Sequence, residues 1–404
     1  MKWEEVKLED ISTNIQTGPF GSQLHQYDYS ETGTPVVMPK DLTDGIISEQ
    51  SIARVSEDHV QRLNRHMIQK GDILYSRRGD VGRCALATEH EAGWLCGTGC
   101  LRITIDETIA DSKFVFYQLQ QEKIVGWVEK HAVGATMLNL NTTILSNIPL
   151  RLPPLEIQRR IADILSAYDD LIENNRKQIK LLEEAAQRLY KEWFVDLRFP
   201  GHEHTRIVDG VPEGWEKTTV FDVSSVLRRG ISPQYNDQGR SVVINQKCIR
   251  QSIVDFSEAR YQEKPFPEEL NIQDSDTVIC STGAGTLGRV GQIFGKYPQT
   301  TCDSHVTLVR AKANFGKQYL FHSLKSRQSY LMGMGKGSTN QLELSRSVIQ
   351  DLDILVPTIE IRNNFEKLTQ LIHDQIKTIS AEIERLQDNR DRLLPKLMSG
   401  EVEL

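Results

Sequence analysis

The part of this sequence that looks most like a chemical site is a glycine-rich run, Gly283-Ala-Gly285-Thr-Leu-Gly288, which has the GxGxxG spacing of dinucleotide-binding loops. Such a loop holds a pyrophosphate where it opens a helix inside a βαβ unit, with an acidic residue about 20 residues further on. Here the strand-like run Arg289-Val-Gly-Gln-Ile-Phe294 follows, and the corresponding first-half loop, Gly79-Asp-Val-Gly82, lacks the spacing. The pattern favours a tight turn whose backbone approaches a phosphate. An enzyme that uses this loop is an alternative, which detectable dinucleotide binding would support.

Other residue types that carry chemistry are present without the spacing that the chemistry requires. The 6 cysteines form no CxxC pair and have no nearby histidine spacing, which favours buried, reduced thiols over a zinc site. The sequence contains no Asn-Pro-Pro-Tyr methyltransferase loop, no Walker A motif, no HExxH motif and no plausible Ser-His-Asp set. We therefore predict no catalytic residues, no metal ligands and no bound cofactor for this chain.

Polar residues in the predicted loops have the chemistry needed to contact nucleic acid. Arginine and lysine neutralise phosphates or bind guanine edges, and glutamine and asparagine pair with adenine. Most single residues of this kind are solvated surface charges. The Gly-rich polar loops around Thr136 and from Lys336 to Gln341 precede the terminal strand of each globule. Such loops contribute no side chains to a hydrophobic core, which favours a binding role for them. The candidate DNA-binding residues are Lys40, Arg77, Arg78, Thr136, Gln246, Lys247, Thr282, Lys336, Thr339 and Asn340.

Two long helical patterns must position these loops. Between residues 157 and 193, apolar side chains recur at alternating steps of four and three, the spacing of a coiled-coil seam. A shift of 204 residues reproduces this spacing, including one pair of successive fours, near the C-terminus. Because each apolar stripe needs a partner, we expect the helices to pair as an antiparallel coiled coil, the first being about 55 Å long. The predicted seam residues are Ile157, Ile161, Ile164, Tyr168, Ile172, Ile179, Leu182, Ile361, Phe365, Leu368, Ile372, Ile376, Ile383 and Leu386.

Three residues depart from the seam pattern. Asn175 is the one polar member of the first series, and it either fixes the register or marks a looser part of the seam. Arg390 breaks the second series, and we interpret it as the seam fraying near its end, with the aliphatic stem covering the stripe and the guanidinium in water. Pro395 predicts that the second helix ends or kinks near Leu394.

The segments that precede the two helices also repeat. The run Asp276-Thr-Val-Ile-Cys-Ser-Thr-Gly283 corresponds to Asp72-Ile-Leu-Tyr-Ser-Arg-Arg-Gly79. The chain is thus one unit of about 200 residues, a globule and then a helix, written twice. We predict an α/β (α+β) fold with an internal twofold repeat: two mixed α/β globules at 1–154 and 199–357, and helices at 155–198 and 358–404.

The composition fits a protein of two or more soluble domains, with 404 residues, 39% hydrophobic and 25% charged. No apolar run approaches the length of a membrane span, so we expect a cytoplasmic protein without membrane association. The formal charge of -7 argues against a protein that coats nucleic acid nonspecifically. It is compatible with a sequence-specific DNA-binding protein whose basic residues are concentrated at the binding surface.

Sequence runs around both helices resemble one family, the specificity subunits of bacterial type I restriction-modification systems. The family's central conserved region is similar to Pro153-Pro154-Leu155-Glu156-Ile157-Gln158-Arg159-Arg160-Ile161, Leu189-Tyr-Lys-Glu-Trp-Phe-Val-Asp-Leu-Arg-Phe-Pro200 and Val211-Pro-Glu-Gly-Trp215. Its C-terminal conserved region is similar to Leu393-Leu-Pro-Lys-Leu-Met-Ser-Gly-Glu401. The resemblance covers the whole chain in the family's order of target recognition domain, helix, target recognition domain and helix.

This resemblance implies a noncatalytic DNA reader in which each globule, as a target recognition domain, recognises half of an asymmetric two-part sequence. The paired helices would set the gap between the halves. It also implies docking of two methyltransferase subunits, which use S-adenosylmethionine, and of restriction subunits driven by ATP. Two major-groove sites read from one side lie roughly 34 Å apart, a distance that a helix of this length could bridge.

The residues leave a second class of function open. A coiled-coil scaffold that grips proteins, without intrinsic DNA specificity, would show no salt-dependent DNA affinity. If the globules read DNA, loop geometry decides which base edge each side chain contacts, and indirect readout adds specificity without contact.

Overall fold

The computed structural model describes residues 3–134, 138–250, 252–283, 285–337 and 342–402 of the chain. The chain divides into two compact parts, here called unit 1 and unit 2. Unit 1 contains Met1–Glu173 and Arg385–Leu404, and unit 2 contains Asn174–Glu384. The boundary falls inside both long helices, so each unit combines a mixed α/β globule with one part of each helix.

Unit 1 begins with a globule of short elements. Its strands are β1 (Glu4–Lys7), β2 (Ser12–Thr17), β3 (Tyr29–Ser30), β4 (Thr34–Val37), β5 (Leu42–Thr43), β6 (Ile46–Ile47), β7 (Ala53–Val55), β8 (Ile73–Ser76), β9 (Cys84–Leu86), β10 (Leu95–Cys96), β11 (Cys100–Ile105) and β12 (Pro149–Leu152). Its helices are α1 (Glu57–Arg62), α2 (Ser112–Leu119), α3 (Glu122–His131), α4 (Thr142–Ser146) and the first part of α5 (Leu155–Tyr190). One antiparallel sheet has the order β2-β11-β8-β9, and a second has the order β10-β4-β7-β3, in which β10 and β4 are parallel.

Strand β8 lies between two of the buried clusters of unit 1. Successive side chains of a strand point to opposite faces of its sheet. Ile73 and Tyr75 belong to the large core that contains Phe114 of α2, whereas Leu74 belongs to a separate cluster with Val37. All three β8 side chains are buried. This strand is therefore apolar on both faces, as its sequence indicates.

Unit 2 repeats this plan. Its strands are β13 (Ile207–Val208), β14 (Val211–Pro212), β15 (Glu216–Thr219), β16 (Ser224–Arg229), β17 (Ser241–Ile244), β18 (Arg260–Gln262), β19 (Thr277–Cys280), β20 (Val290–Gln292), β21 (Thr300–Cys302), β22 (Val306–Ala311) and β23 (Asp353–Val356). Its helices are α6 (Val220–Val223), α7 (Lys317–Ser326), α8 (Gln328–Gly333), α9 (Arg346–Gln350) and the first part of α10 (Ile359–Ser399), preceded by the end of α5 and a π-helical turn, Lys191–Val195.

The two larger sheets of unit 2 repeat those of unit 1, except that the second sheet has three strands instead of four. The order β16-β22-β19-β20 corresponds to β2-β11-β8-β9, and β18-β17-β21 corresponds to β7-β4-β10, including the parallel pair. Strand β19 also serves two cores, because Ile279 faces the cluster around Tyr319 while Val278 and Cys280 face another. The predicted mixed α/β fold with an internal repeat is confirmed.

The long helices run antiparallel within each unit. In unit 1, Ile161 of α5 shares a buried cluster with Leu397 of α10. In unit 2, Ile179 clusters with Ile376 and Ile379. At the end of α5 and in the π-helical turn that follows it, the rings of Tyr190 and Trp193 lie 5.9 and 6.1 Å from the ring of Phe365. Each buried Ile or Phe side chain contributes roughly 1.5–3 kcal/mol by leaving water.

Most of the predicted seam residues are buried or half-buried, and Leu368 is the exception. Its side chain is 45% exposed, and Thr369, one residue later, is buried in its place. The Thr369 hydroxyl donates to the carbonyl of Phe365 at 2.8 Å, which satisfies this polar group inside the helix. At this turn α10 faces the globule of unit 2 as well as α5, so the buried stripe is displaced from the ideal heptad.

The three departures from the seam pattern have different outcomes. Arg390 does not fray into water; its Nη1 donates to Asp169 Oδ1 at 2.6 Å, so the interpretation from the sequence was wrong. Pro395 does not end α10, which continues to Ser399. Asn175 is buried, and its amide nitrogen lacks a hydrogen-bond partner among the described residues.

Three further observations concern chemistry and membranes. The six cysteines are free and buried, and burial raises the pKa of Cys84, Cys96 and Cys302 to about 12. In the described ranges, no three His, Cys, Asp or Glu side chains are grouped so that they could hold a metal ion. The same ranges contain no helix with the length and hydrophobicity of a membrane span.

Candidate nucleic-acid interface

Four turns of unit 1 meet at one edge of its sheets. They are residues 18–22, 38–41, 77–79 and 97–99, which follow β2, β4, β8 and β10, and we call them the loop edge of unit 1. Strands β2 and β8 both run antiparallel to β11, so their carboxyl ends lie on the same side. Backbone hydrogen bonds then join the turns: Gly18 N to Cys100 O at 2.9 Å, Gly97 N to Val37 O at 2.8 Å and Arg77 N to Gly99 O at 2.8 Å.

The glycine turn after β2 is held by a close backbone approach. A Cβ atom on Gly18 would overlap the carbonyl oxygen of Gly97. In unit 2, a Cβ atom on Gly230 would overlap the carbonyl oxygen of Cys302 in the same way. Only glycine allows this contact, so both units fix the turn by the same device.

Arg77 and Arg78 follow β8 at the loop edge but have different surroundings. Arg77 is half-buried, and its Nε donates to the carbonyl of Leu140 at 3.3 Å. Burial, together with the neighbouring Arg78 charge, lowers the pKa of Arg77. Arg78 is exposed, while its backbone pairs with Asn139. Arg77 therefore anchors the turn, and Arg78 presents a guanidinium to solvent, where a phosphate or a guanine edge can approach.

Lys40 and Lys247 occupy equivalent positions in the two units. In unit 1, Val37 and Cys96 are paired in register, and in unit 2 Ile244 is paired with Cys302. Lys40 lies three residues after Val37, in the 3-10 turn Pro39–Asp41. Lys247 lies three residues after Ile244, in the 3-10 turn Gln246–Cys248. Both side chains are exposed, and the Lys40 Nζ donates to the carbonyl of Ser51 at 2.6 Å. Both lysines were predicted from the sequence, but their equivalence becomes visible only in the fold.

The loop edge of unit 2 is formed by residues 230, 245–248, 281–283 and 303–305, and it contains a polar network instead of two arginines. The Thr282 hydroxyl and the His305 Nδ1 are hydrogen-bonded at 2.6 Å. The Thr286 hydroxyl lies 3.2 Å from Gln246 Oε1 and donates to the carbonyl of Thr282 at 3.1 Å. His305 was not among the predicted residues. The loop that contains His305 follows Cys302, just as the loop that begins at Gly97 follows Cys96. The matching cysteines could therefore have indicated from the sequence that His305 lies at the loop edge.

Lys336 lies on a segment that pairs with Glu343. Arg229, which was not predicted from the sequence, binds Glu343 and the next residue. The backbone of Lys336 exchanges hydrogen bonds with Glu343 at 3.0 and 2.9 Å, and its side chain is exposed. Arg229, at the end of β16, forms an ion pair with Glu343 at 2.7 Å and donates to the carbonyl of Leu344 at 2.7 Å. The remaining candidates, Thr136, Thr339 and Asn340, lie outside the described residues.

The described residues of the GxGxxG run, Gly283 and 285–288, form a turn between two strands. It joins β19 to β20, and no helix follows it. Gly283 and Gly288 have φ values of 105° and 75°, in the left-handed region, and a Cβ atom on Gly288 would press against the backbone of Met332 in α8. The glycines therefore serve the turn and its packing, and the geometry lacks the helix N-terminus that a dinucleotide requires.

The two loop edges thus share a backbone frame and differ in side-chain chemistry. The edge of unit 1 presents Arg78 and Lys40, which suit phosphates and guanine edges. The edge of unit 2 presents Lys247 beside an amide, a hydroxyl and an imidazole, from Gln246, Thr282 and His305. Amide and hydroxyl groups read adenine and other base edges by paired donors and acceptors. One frame with two sets of side chains can contact two different nucleotide sequences.

The chain is similar to known proteins over its whole length. The family model described as "Type I restriction modification DNA specificity domain" matches residues 1–184 and 212–385. The type I restriction enzyme MjaIX specificity subunit of Methanocaldococcus jannaschii is 24% identical over 415 residues, which cover 100% of this chain and 94% of that protein. The HindI specificity subunit of Haemophilus influenzae is 24% identical over 477 residues, covering 99% of each. A crystal structure of a type I restriction-modification S subunit from M. genitalium has a TM-score of 0.55 at 17% identity and covers 98% of this chain and 96% of that one, so the two share a fold.

Proposed function

Because the chain belongs to the type I restriction-modification DNA specificity family, we propose that it is the DNA sequence-recognition subunit of a type I restriction-modification complex. Unit 1 reads one half of a bipartite, asymmetric DNA target, and unit 2 reads the other half. The paired parts of α5 and α10 set the gap between the halves. The chain contributes recognition, and its partners contribute catalysis.

One observation carries this proposal. The loop edge is built twice from equivalent strands and turns, with Gly18 and Gly230 in matching close approaches and Lys40 and Lys247 in matching turns. The other side chains of the two loop edges differ, with Arg78 in unit 1 and Thr282 and His305 in unit 2. A duplicated frame with unlike side chains is what recognition of two unlike half-sites requires. A scaffold for identical partners has no need of the difference.

The proposed partners follow from the family. Two methyltransferase subunits and the restriction subunits would supply the chemistry, and the complex would act in the cytoplasm. Helix surfaces suited to such docking are present in each unit: Leu171 of unit 1 and Leu181, Leu368 and Leu371 of unit 2 are exposed on α5 and α10. Leu368 and Leu371 are three residues apart on α10 and form a small apolar surface that a partner subunit would cover.

The proposal is tested by mapping methylation. The chain is combined with its cognate methyltransferase subunit, and modified sites are located on genomic DNA. We expect methylation confined to one bipartite sequence. Replacing Arg77 and Arg78 by alanine should relax or abolish reading of one half-site and leave the other half unchanged, because only one loop edge is altered.

The matched control replaces two exposed basic residues on helices of unit 1, Arg62 and Lys113, which lie outside the loop edge. This control should leave the methylated sequence unchanged. A stable complex that methylates without sequence preference, or a half-site change produced equally by the control, would contradict the assignment and favour a protein-binding scaffold.

A further inference from the structure

One exposed arginine of unit 2 is stacked on an aromatic ring. The central guanidinium carbon of Arg260, in β18, lies 3.6 Å from the centroid of the Tyr235 ring. At this distance the two planar groups lie face to face, because an edge-on guanidinium would keep its central carbon further from the ring. The Tyr235 side chain is 41% exposed, and Arg260 is also exposed. The ring therefore fixes the plane of the guanidinium, while the edge of that group remains accessible.

The chain segment that carries the ring is itself held in place. Tyr235 forms an isolated antiparallel bridge with Gln262 of β18. The Glu263 carboxylate accepts hydrogen bonds from the side-chain amides of Gln234 and Asn236, the residues before and after Tyr235. The ring thus stands on a fixed backbone, and the arginine that lies on it is ordered before any ligand binds.

Arg260 has no carboxylate partner, unlike the arginines of the neighbouring sheet. The arginines of β16 and β22 form the ion pairs Arg228–Glu269, Arg229–Glu343 and Arg310–Asp276. The acidic residues on either side of β18 are engaged elsewhere, because Glu258 binds Arg250 at 2.9 Å and Glu263 binds the two amides. In the part of the chain that the structure describes, Arg260 forms no ion pair, so its charge and its N–H donors are free for an external acceptor.

The stack lies beside the loop edge of unit 2. The segment that carries Tyr235 leaves this edge at Ile231, whose backbone nitrogen donates to the carbonyl of Cys302 at 2.9 Å. Ile231 also forms a parallel bridge with Asp303 of the loop edge. Tyr235 follows four residues later and is still close to Asp303: partial burial, together with the Asp303 charge, raises the pKa of Tyr235.

The internal repeat shows that Arg260 is not part of the shared backbone frame. Arg260 is paired in register with Val243 of β17. The residue of β4 that corresponds to Val243 is Val36, since each precedes the residue paired with Cys302 or Cys96. Val36 is paired with Ala53. The arginine of unit 2 therefore replaces an alanine of unit 1, as expected for a residue that serves only one half-site.

We propose that Arg260, oriented by Tyr235, reads one guanine of the half-site that unit 2 recognises; this inference rests on the proposed DNA-recognition function. A guanidinium held in one plane presents two N–H donors to guanine O6 and N7, which lie together in the plane of the base. A phosphate contact requires a cation but no fixed plane. Lys247, which is exposed at the same loop edge, supplies such a cation.

The test measures how each base of the half-site contributes to methylation. The chain and its cognate methyltransferase subunit act on a DNA library in which the mapped half-sites are varied one position at a time. The half-site read by unit 2 is the one that replacement of Arg77 and Arg78 leaves unchanged. We expect it to contain a guanine, on either strand, whose preference over the other bases falls roughly ten- to a hundredfold in Arg260→Gln, while the other positions keep theirs.

Further variants separate the plane of the guanidinium from its charge. Arg260→Lys keeps the charge without the planar fork and should not restore the preference of the parent chain. Tyr235→Phe keeps the ring and should keep the preference, whereas Tyr235→Leu should reduce it several-fold. Arg362→Gln is the matched control. Arg362 also lies over a ring, 5.1 Å from the centroid of Phe315, but this ring follows the carboxyl end of β22, opposite the carboxyl ends of β16 and β19.

The outcomes distinguish this inference from the proposed function. A uniform loss of methylation at all sequences in Arg260→Gln, with recovery in Arg260→Lys, would indicate a phosphate contact and overturn the guanine assignment. An unchanged half-site in Arg260→Gln, or an equal change in Arg362→Gln, would overturn it as well. In these cases the proposed function stands if the parent chain directs methylation to one bipartite sequence. If the parent complex methylates without sequence preference, the proposed function fails, and this inference fails with it.

Discussion

Acidification should destabilise unit 2 through one buried histidine, His322. Its side chain is 5% exposed, and burial, with smaller contributions from His373 and Lys325, lowers its pKa from 6.5 to about 3. The folded state therefore keeps the imidazole neutral, while the unfolded chain takes up a proton below pH 6.5. The stability that depends on this group is intact above pH 6.5 and is lost progressively as the pH falls from 6.5 towards 3.

The size of the effect follows from the shift. Each pH unit below the unfolded pKa costs about 1.4 kcal/mol, so moving from pH 7 to pH 5 should lower the free energy of unfolding by about 2 kcal/mol through His322 alone. His322→Gln retains a hydrogen-bonding group for Gln187 and has no proton to gain. The variant should therefore lose about 2 kcal/mol less than the parent chain between these two pH values.

The assay is urea-induced unfolding at pH 7 and pH 5, supplemented by hydrogen exchange over α7 so that the change is assigned to unit 2. Using the difference between the two pH values removes any constant cost of the substitution. His204→Gln, at an exposed position, is the control and should retain the pH dependence of the parent chain. If the parent chain and His322→Gln lose the same free energy of unfolding, the buried neutral imidazole is not the cause, and the reasoning fails.

Three further outcomes are expected. Gly18→Ala should cost unit 1 about 1–3 kcal/mol or more in urea unfolding, because the new methyl group meets the Gly97 carbonyl, whereas Gly21→Ala, with open space around it, should cost far less. Asp169→Asn should cost about 1–2 kcal/mol, since it weakens a partly exposed, charge-assisted pair with Arg390; an equal loss for the exposed neighbour Asp170→Asn would refute this. Thr282→Val, which removes the hydroxyl bonded to His305, should alter methylation at the half-site read by unit 2 and not at the other; a change at both halves, or at neither, would disprove that contact.

The parts of the fold that the sequence predicted are those determined by local periodicity. Helices α5 and α10 carry apolar residues at regular steps over about ten turns each, and a pattern of that length leaves little ambiguity. The prediction failed at Leu368, where α10 packs against a globule as well as against α5. It also failed at Arg390, because its partner Asp169 is distant in sequence.

The loop edges were predicted only in part, for a related reason. Arg77 and Arg78 stand out because they follow a strand directly. His305 and Arg229 are ordinary surface residues until the fold brings them beside Thr282 and Glu343. Contacts between residues far apart in the chain, such as Arg77 with Leu140, decide which turns come together, and no short-range pattern encodes them.

The division of the chain has a consequence for the order in which the protein can form during synthesis. Unit 2 is one continuous segment, Asn174–Glu384, whereas unit 1 needs residues from both sides of it. The core around Trp3 and Ile161 is completed by Leu397 and Met398, which the ribosome adds more than two hundred residues later. The N-terminal globule is therefore synthesised first, but its core can be completed only after the C-terminal end of α10 has been synthesised. Until then its uncovered apolar surface is open to chaperones or to a partner that binds the nascent chain.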